Sequence, residues 1–276
     1  MDSVLIVAGE ASADIHGAKV IRSLKALSPN TQIFGMGGPA MRDEGMTAIA
    51  RAEDVSVAGL TEVLWALPRL WRVFRALKRA IAEHKPKLLI LLDLPDFNLR
   101  LARAVHILNI PVLYYISPQV WAWRPKRVAL IRQLVARMLV ILPFEKSFYE
   151  KHHVAVEYVG HPFIEDLASY PSRDQARDIL NISPRDVQLV GLLPGSRKKE
   201  VVRHLPTMLQ AVALLRHANS DLQAYVPVAS TVELACVEAI VARAKVSVEI
   251  VRGQAVEVLA AADAAMVCSG TATVQA

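Results

Sequence analysis

"LLILLDLPDFN" (88–98) decides how the rest of the chain reads. Its apolar half is a short buried strand, which runs straight into two acids, Asp93 and Asp96, on either side of Pro95. An unbroken apolar run of this length fits a sheet covered on both faces. Similar runs recur at "VLIVA" (4–8), "QIFGM" (32–36), "VLYYI" (112–116), "MLVIL" (138–142) and "VEYVG" (156–160). Helix-length segments such as 15–27 and 99–108 lie between most of them. Strand, helix, strand in repetition predicts a parallel sheet with helices on both sides.

The pattern pauses near "GHPFIED" (160–166) and restarts at "VQLVGLLPGSR" (187–197). A long helix from about 200 to 217 follows, then strand "LQAYVPV", a helix near 232–244, strand "VSVEIV", a short helix and strand "AAMVC". The expectation is an α/β chain of two Rossmann-like domains, residues 1–163 and 164–276. The second shows about four strands, where a complete doubly wound domain has about five or six. The sequence stops at "SGTATVQA", a glycine turn that should open another helix, so the second domain reads as incomplete.

A length of 276 residues suits one large or two ordinary domains. With 53% hydrophobic and 21% charged residues, the chain can bury real cores and is not disordered. The net charge of +6 favours an anionic partner: nucleic acid, a phosphorylated small molecule or an acidic membrane surface. The cysteines, Cys236 and Cys268, have no CxxC spacing, which argues against a disulfide scaffold or cysteine metal site and for a reducing cytoplasm. The N-terminus lacks the basic start of a signal peptide. No stretch approaches the roughly 20 apolar residues that span a bilayer. The expectation is a protein that is soluble or lies on a membrane without crossing it.

In "GLTEVLWALPRLWRVFRALKRAIAEH" (59–84), Leu64, Leu67, Leu70, Trp71, Phe74, Leu77 and Ile81 recur every three or four positions. Arg69, Arg72, Arg75 and Arg79 occupy the other side. Such a helix can lie in a membrane interface, or can cover the core with a solvated basic face.

The first loop, "AGEASADIHGA" (8–18), carries Gly9 and Gly17 at the wrong spacing for GxGxxG, which disfavours a nicotinamide cofactor. Glu10, Ser12 and Asp14 still follow a strand, where open α/β sheets place ligands; Asp14 equally suits a helix cap. In "LLPGSRKKE" (192–200), the Gly195–Ser196 turn offers backbone N–H groups at a helix start and Arg197 a planar fork for phosphate oxygens. "CSGTAT" (268–273) repeats the form with Ser269, Gly270 and Thr271. Two such turns suggest a nucleotide diphosphate; the alternative is an ordinary strand-to-helix turn with surface bases. In "YYISPQVWAWRPKRV" (114–128), Trp121 and Trp123 either stack on a sugar or line an acyl pocket, or pack the loop on the next helix. Gln119 lies in the same segment. His161, beside Pro162, has no paired histidine that would suggest a metal. Position favours Asp93 as an acid at the carboxyl edge of the sheet, able to act as a general base if burial raises its pKa. Asp96 suits the N-cap of a helix over 98–108.

Taken in order, "AGEASAD", "LLDLPDFN", "YYISPQVWAWRPKRV", "LPFEKSFYEKH", "VGHP", "LLPGSR" and "CSGTAT" resemble the signature segments of the bacterial lipid-A-disaccharide synthases, across essentially the whole chain. The resemblance implies a glycosyltransferase-B fold and an inverting transfer at the cytoplasmic face of the inner membrane. The donor would be UDP-2,3-diacylglucosamine and the acceptor 2,3-diacylglucosamine 1-phosphate (lipid X), joined β-1,6 with release of UDP. It places the base on Asp93 and the donor diphosphate on Arg197, with Gly195 and Ser196. Ser269, Gly270, Thr271 and Gln275 hold the UDP, and Glu10, Ser12, Gln119 and Trp121 are candidates on the acceptor side. The helix near 60–81 meets the membrane. The family usually has glycine where Ala13 stands and glutamate where Gln275 stands, and it continues for roughly another third that exchanges between two protomers. A homodimer is thus implied only with that part. No metal, no other cofactor and no nucleic acid are expected. Two readings stand beside this one: another UDP-sugar enzyme of the same fold, such as a 2-epimerase, and a catalytically impaired fragment that associates with lipid.

Overall fold

The computed structural model describes residues 2–54, 60–123, 127–167, 169–229, 231–269 and 273, with the side chains at 11, 54, 60–66 and 123 excepted. The chain divides into two compact units, Met1–Pro162 and Phe163–Ala276.

The first unit runs β1 (Ser3–Val7), α1 (Ala11–Leu27), β2 (Gln32–Gly37), α2 (Pro39–Asp43), β3 (Thr47–Arg51), α3 (Leu60–His84), β4 (Leu88–Leu92), α4 (Pro95–Val105) and β5 (Val112–Tyr115). It continues through α5 (Val120–Trp123), α6 (Val128–Leu134), β6 (Arg137–Val140), α7 (Pro143–Lys151) and β7 (Val156–Tyr158). Seven parallel strands lie in the order β3-β2-β1-β4-β5-β6-β7. Alternate side chains of a strand face opposite ways, and β1 supplies both cores. Leu5 and Val7 pack with residues of α3, α4 and α6, including Leu77, Leu101 and Ile131. Val4 and Ile6 pack with Ile21 of α1 and Met41 of α2.

Three expectations shift. Strand β3 goes unread in the sequence because "TAIAR" holds one large apolar residue and pairs along one side only, on β2. Helix α4 starts at Pro95 rather than near 98, since proline is pre-organised for a first helical position. The apolar stripe of α3 divides: Leu77 and Ile81 are buried, whereas Leu67 and Trp71 are 50% and 61% exposed. Leu64 lies among the side chains outside those described.

The second unit runs α8 (Phe163–Leu167), α9 (Arg173–Ile179), β8 (Leu189–Leu193), α10 (Lys198–Ala218), β9 (Gln223–Val228), α11 (Leu234–Ala244), β10 (Glu249–Arg252), α12 (Ala255–Ala261) and β11 (Ala264–Val267). Its four parallel strands lie in the order β10-β9-β8-β11. Val190 and Leu192 of β8 pack with Leu205 and Leu209 of α10, and Leu189 packs with Ala176 of α9 and Val258 of α12. Both units are thus Rossmann-like α/β layers. Among the described residues, no helix is long and apolar enough to cross a membrane.

Candidate active site

Helix α1, after β1, covers one face of the first sheet, and α4, after β4, covers the other. Because β1 and β4 are neighbours, the carboxyl ends of these two strands form a switch point, where open α/β sheets hold ligands. Asp93 follows β4 there, and Gly9–Glu10 follow β1.

The half-buried Asp93 carboxylate accepts the Gly9 N–H at 3.1 and 3.2 Å and the Glu10 N–H at 2.7 Å. Its own carbonyl accepts from the Tyr114 hydroxyl and from Asn98 Nδ2, the latter at 2.9 Å. Burial pushes the Asp93 carboxyl up to about 8, outweighing the two amides that favour its charged form; the nearby Glu10 adds a smaller upward push. A carboxyl poised near neutral pH at a switch point has the properties of a general base.

Asp96 is not the cap. It sits inside the first turn of α4, whose N-cap is Leu94 with no side-chain hydrogen bond, and it pairs with Arg127. Its charge suits the helix N-terminus all the same. Asp14 is a cap, but of another helix: buried on α1, it accepts from the N–H groups of Gly38, Ala40 and Met41 at the start of α2, at 2.8–3.1 Å. Glu10 is exposed beside Asp93, and Ser12 is half-buried in the first turn of α1.

Of the aromatic loop, Gln119 is exposed. Trp121 packs the loop onto α7, with Nε1 donating to Glu145 at 3.3 Å and its ring edge-on to Phe144 at 5.0 Å. Trp121 thus makes the packing contact with α7; the side chain of Trp123 lies outside the described residues. Glu145 is itself buried at the α7 start, and burial raises its pKa.

In the second unit the turn after β8 holds Gly195 at φ +118°. The N–H groups of Ser196 and Arg197 both donate to Glu200 Oε2, at 3.0 and 3.1 Å. The anion position expected here is thus filled by the protein's own carboxylate. Arg197 is the N-cap of α10, with its side chain 65% exposed and 3.6 Å from Glu200. The Ser196 carbonyl accepts from Thr231 after β9. Strand β11 adjoins β8, so the exposed Ser269 follows a neighbouring strand at the corresponding edge of the second sheet. Gly270, Thr271 and Gln275 lie outside the described residues. Glu200, Thr231, Tyr114 and Asn98 went unassigned in the sequence. Glu200 stands in the quoted "LLPGSRKKE", Asn98 in "LLDLPDFN" and Tyr114 at the head of "YYISPQVWAWRPKRV", whereas Thr231 lies in none of the quoted segments.

Two Rossmann-like units with polar turns at the carboxyl ends of central strands define a protein of glycosyltransferase-B type. Solved structures share that fold: UDP-GlcNAc 2-epimerase from Neisseria meningitidis bound to UDP-GlcNAc has a TM-score of 0.66 at 12% identity, over 97% of this chain and 78% of that one. The kitacinnamycin glycotransferase has a TM-score of 0.61 at 14% identity, over 99% and 77%. Residues 4–276 match the family described as Lipid-A-disaccharide synthetase. The lipid-A-disaccharide synthase of Anaeromyxobacter sp. (strain K) is 48% identical over all of this chain and 72% of its own length. That of Myxococcus xanthus (strain DK1622) is 44% identical over 99% and 71%. The chain belongs to the lipid-A-disaccharide synthase family.

Proposed function

We propose that the chain transfers 2,3-diacylglucosamine from its UDP carrier to the 6-hydroxyl of lipid X, forming the β-1,6 disaccharide 1-phosphate and UDP. Family membership supports this chemistry, and the resemblance to the synthases in the "LLDLPDFN" segment selects Asp93 for the central role. Asp93 takes the proton of the acceptor hydroxyl as its oxygen attacks the donor's anomeric carbon. The C–O bond to the diphosphate breaks, inverting the carbon, and UDP leaves with the electron pair. The observation that carries the reading is the Asp93 carboxyl at the β1–β4 switch point, raised to about 8 by burial. Asp93→Asn should lower turnover by about 100-fold or more; unchanged turnover would reject the base.

Leaving-group charge falls on Arg197 and the turn at Gly195 and Ser196, with Ser269, Gly270, Thr271 and Gln275 completing the grip. An incoming diphosphate takes the place of the Glu200 carboxylate on the two turn amides. Glu10, Ser12 and Gln119 border the acceptor, and Trp121 backs their loop. The chain works on the cytoplasmic surface of the inner membrane, held by the exposed part of α3. There Leu67 and Trp71 stand among arginines, with Arg75 4.6 Å over the Trp71 ring.

A further inference from the structure

Asp93 and Leu94 are consecutive residues with side chains, yet both adopt left-handed backbone, at φ 48° and 33°. Such geometry persists only where neighbours over-determine it. Here the neighbours are two buried side chains. Asn98, wholly buried in the first turns of α4, donates through Nδ2 to the carbonyls of Leu92 (2.7 Å) and Asp93 (2.9 Å). That orientation turns its Oδ1 away, and the atom is buried without a hydrogen-bond partner. The opposite orientation would set oxygen against two carbonyls, so the unmatched atom follows from holding them. Tyr114, wholly buried on the adjacent strand β5, donates its hydroxyl to the same Asp93 carbonyl. Burial drives its phenol far above the ordinary range, so it stays a donor at any working pH.

We propose that Tyr114, with Asn98, is the positioning residue of this site. Its hydroxyl pins the Asp93 carbonyl in the left-handed bend and so aims the Asp93 side chain at the Gly9 and Glu10 amides. With the bend released, Asp93 would relax to an ordinary backbone form and its carboxylate would swing toward water. The catalytic consequence rests on Asp93 being the base; the positioning itself does not. The charged and titratable groups bearing on this pair are Glu10, beside the carboxyl, and Arg127 and Tyr149, which act on the Tyr114 phenol.

The test is a pH titration by NMR of the isotope-labelled chain, following the Asp93 carboxyl and the Gly9 and Glu10 amides. In the unmodified protein all three should respond with one shared midpoint. In Tyr114→Phe the amides should lose that response, and the carboxyl midpoint should fall by at least about one unit, a tenfold change in proton affinity. Tyr149→Phe removes another buried hydroxyl of the same core, one bonded to Ser117 at 2.8 Å, and should leave the pattern intact. A Tyr114→Phe protein with the original response overturns the proposal, as does an equal change in both phenylalanine variants. If Tyr114→Phe fails to fold, Asn98→Ala carries the same expectation and the same refutation. Turnover of Asp93→Asn is read separately: its survival removes the base and leaves the positioning standing, whereas intact coupling in Tyr114→Phe does the reverse.

Discussion

At Asp93, burial favours the neutral carboxyl while two backbone amides favour the carboxylate, and burial prevails. The folded value of about 8 lies above the ordinary 3.8, so the native state prefers the protonated form. That contribution to stability is complete below about pH 4 and is lost as pH rises through about 8. Denaturant titrations should therefore find Asp93→Asn gaining on the unmodified protein as pH climbs, with the gap closing toward pH 4. Turnover should follow the opposite course: a base must be ionised, so kcat/KM should climb with pH toward about 8 and level above it. Asp96, a few atoms along the chain, should behave differently. Its partly exposed pair with Arg127 is worth about 1 kcal/mol or less, and Asp96→Asn should leave the pH–rate profile unmoved.

At the scale of single elements, the turn between β8 and α10 depends on Gly195. Its φ of +118° disfavours any side chain, and an added Cβ would lie 2.5 Å from Glu200 Oε2. Gly195→Ala should cost about 1–3 kcal/mol in unfolding free energy. It should also weaken UDP binding in calorimetry, because Glu200 and the turn amides are displaced together. Glu200→Ala separates the two effects. Removing the acceptor of two amides at the helix start should cost about 1 kcal/mol, yet UDP should bind more tightly because the anion position is vacated. For α3, Arg72→Glu with Arg75→Glu should reduce sedimentation with phosphatidylglycerol vesicles. Each basic residue near an anionic surface is worth about 1 kcal/mol.

At the scale of the whole molecule, each unit has its own parallel sheet and its own cores. A ligand held by the second unit should thus leave its mark there. Hydrogen exchange with UDP present should slow around 192–200 and leave 88–98 unchanged. The two-unit α/β architecture was readable because parallel strands are buried on both faces and so appear as unbroken apolar runs. Strand β3 escaped because an edge strand of small residues leaves no such run. The start of α4 was misplaced because Pro95 reads as a break when it is in fact the first helical residue.

The candidate site follows the same division. Local sequence singles out Asp93, since an acid at the end of a buried strand stands at the carboxyl edge of a parallel sheet, and it singles out the Gly195–Arg197 turn by composition. Packing decided the rest. Asp14 became the cap of α2 because residues 24–27 positions away fold over it. Trp121 went to Glu145 and Phe144 because α7 lies beside its loop. Burial raises the pKa of Asp93, and its aim through Tyr114 comes from the neighbouring strand β5. Residue type and spacing therefore determined which groups stand at the strand ends. Desolvation and hydrogen bonds from residues distant in sequence, which only the folded chain brings together, determined what each group is able to do.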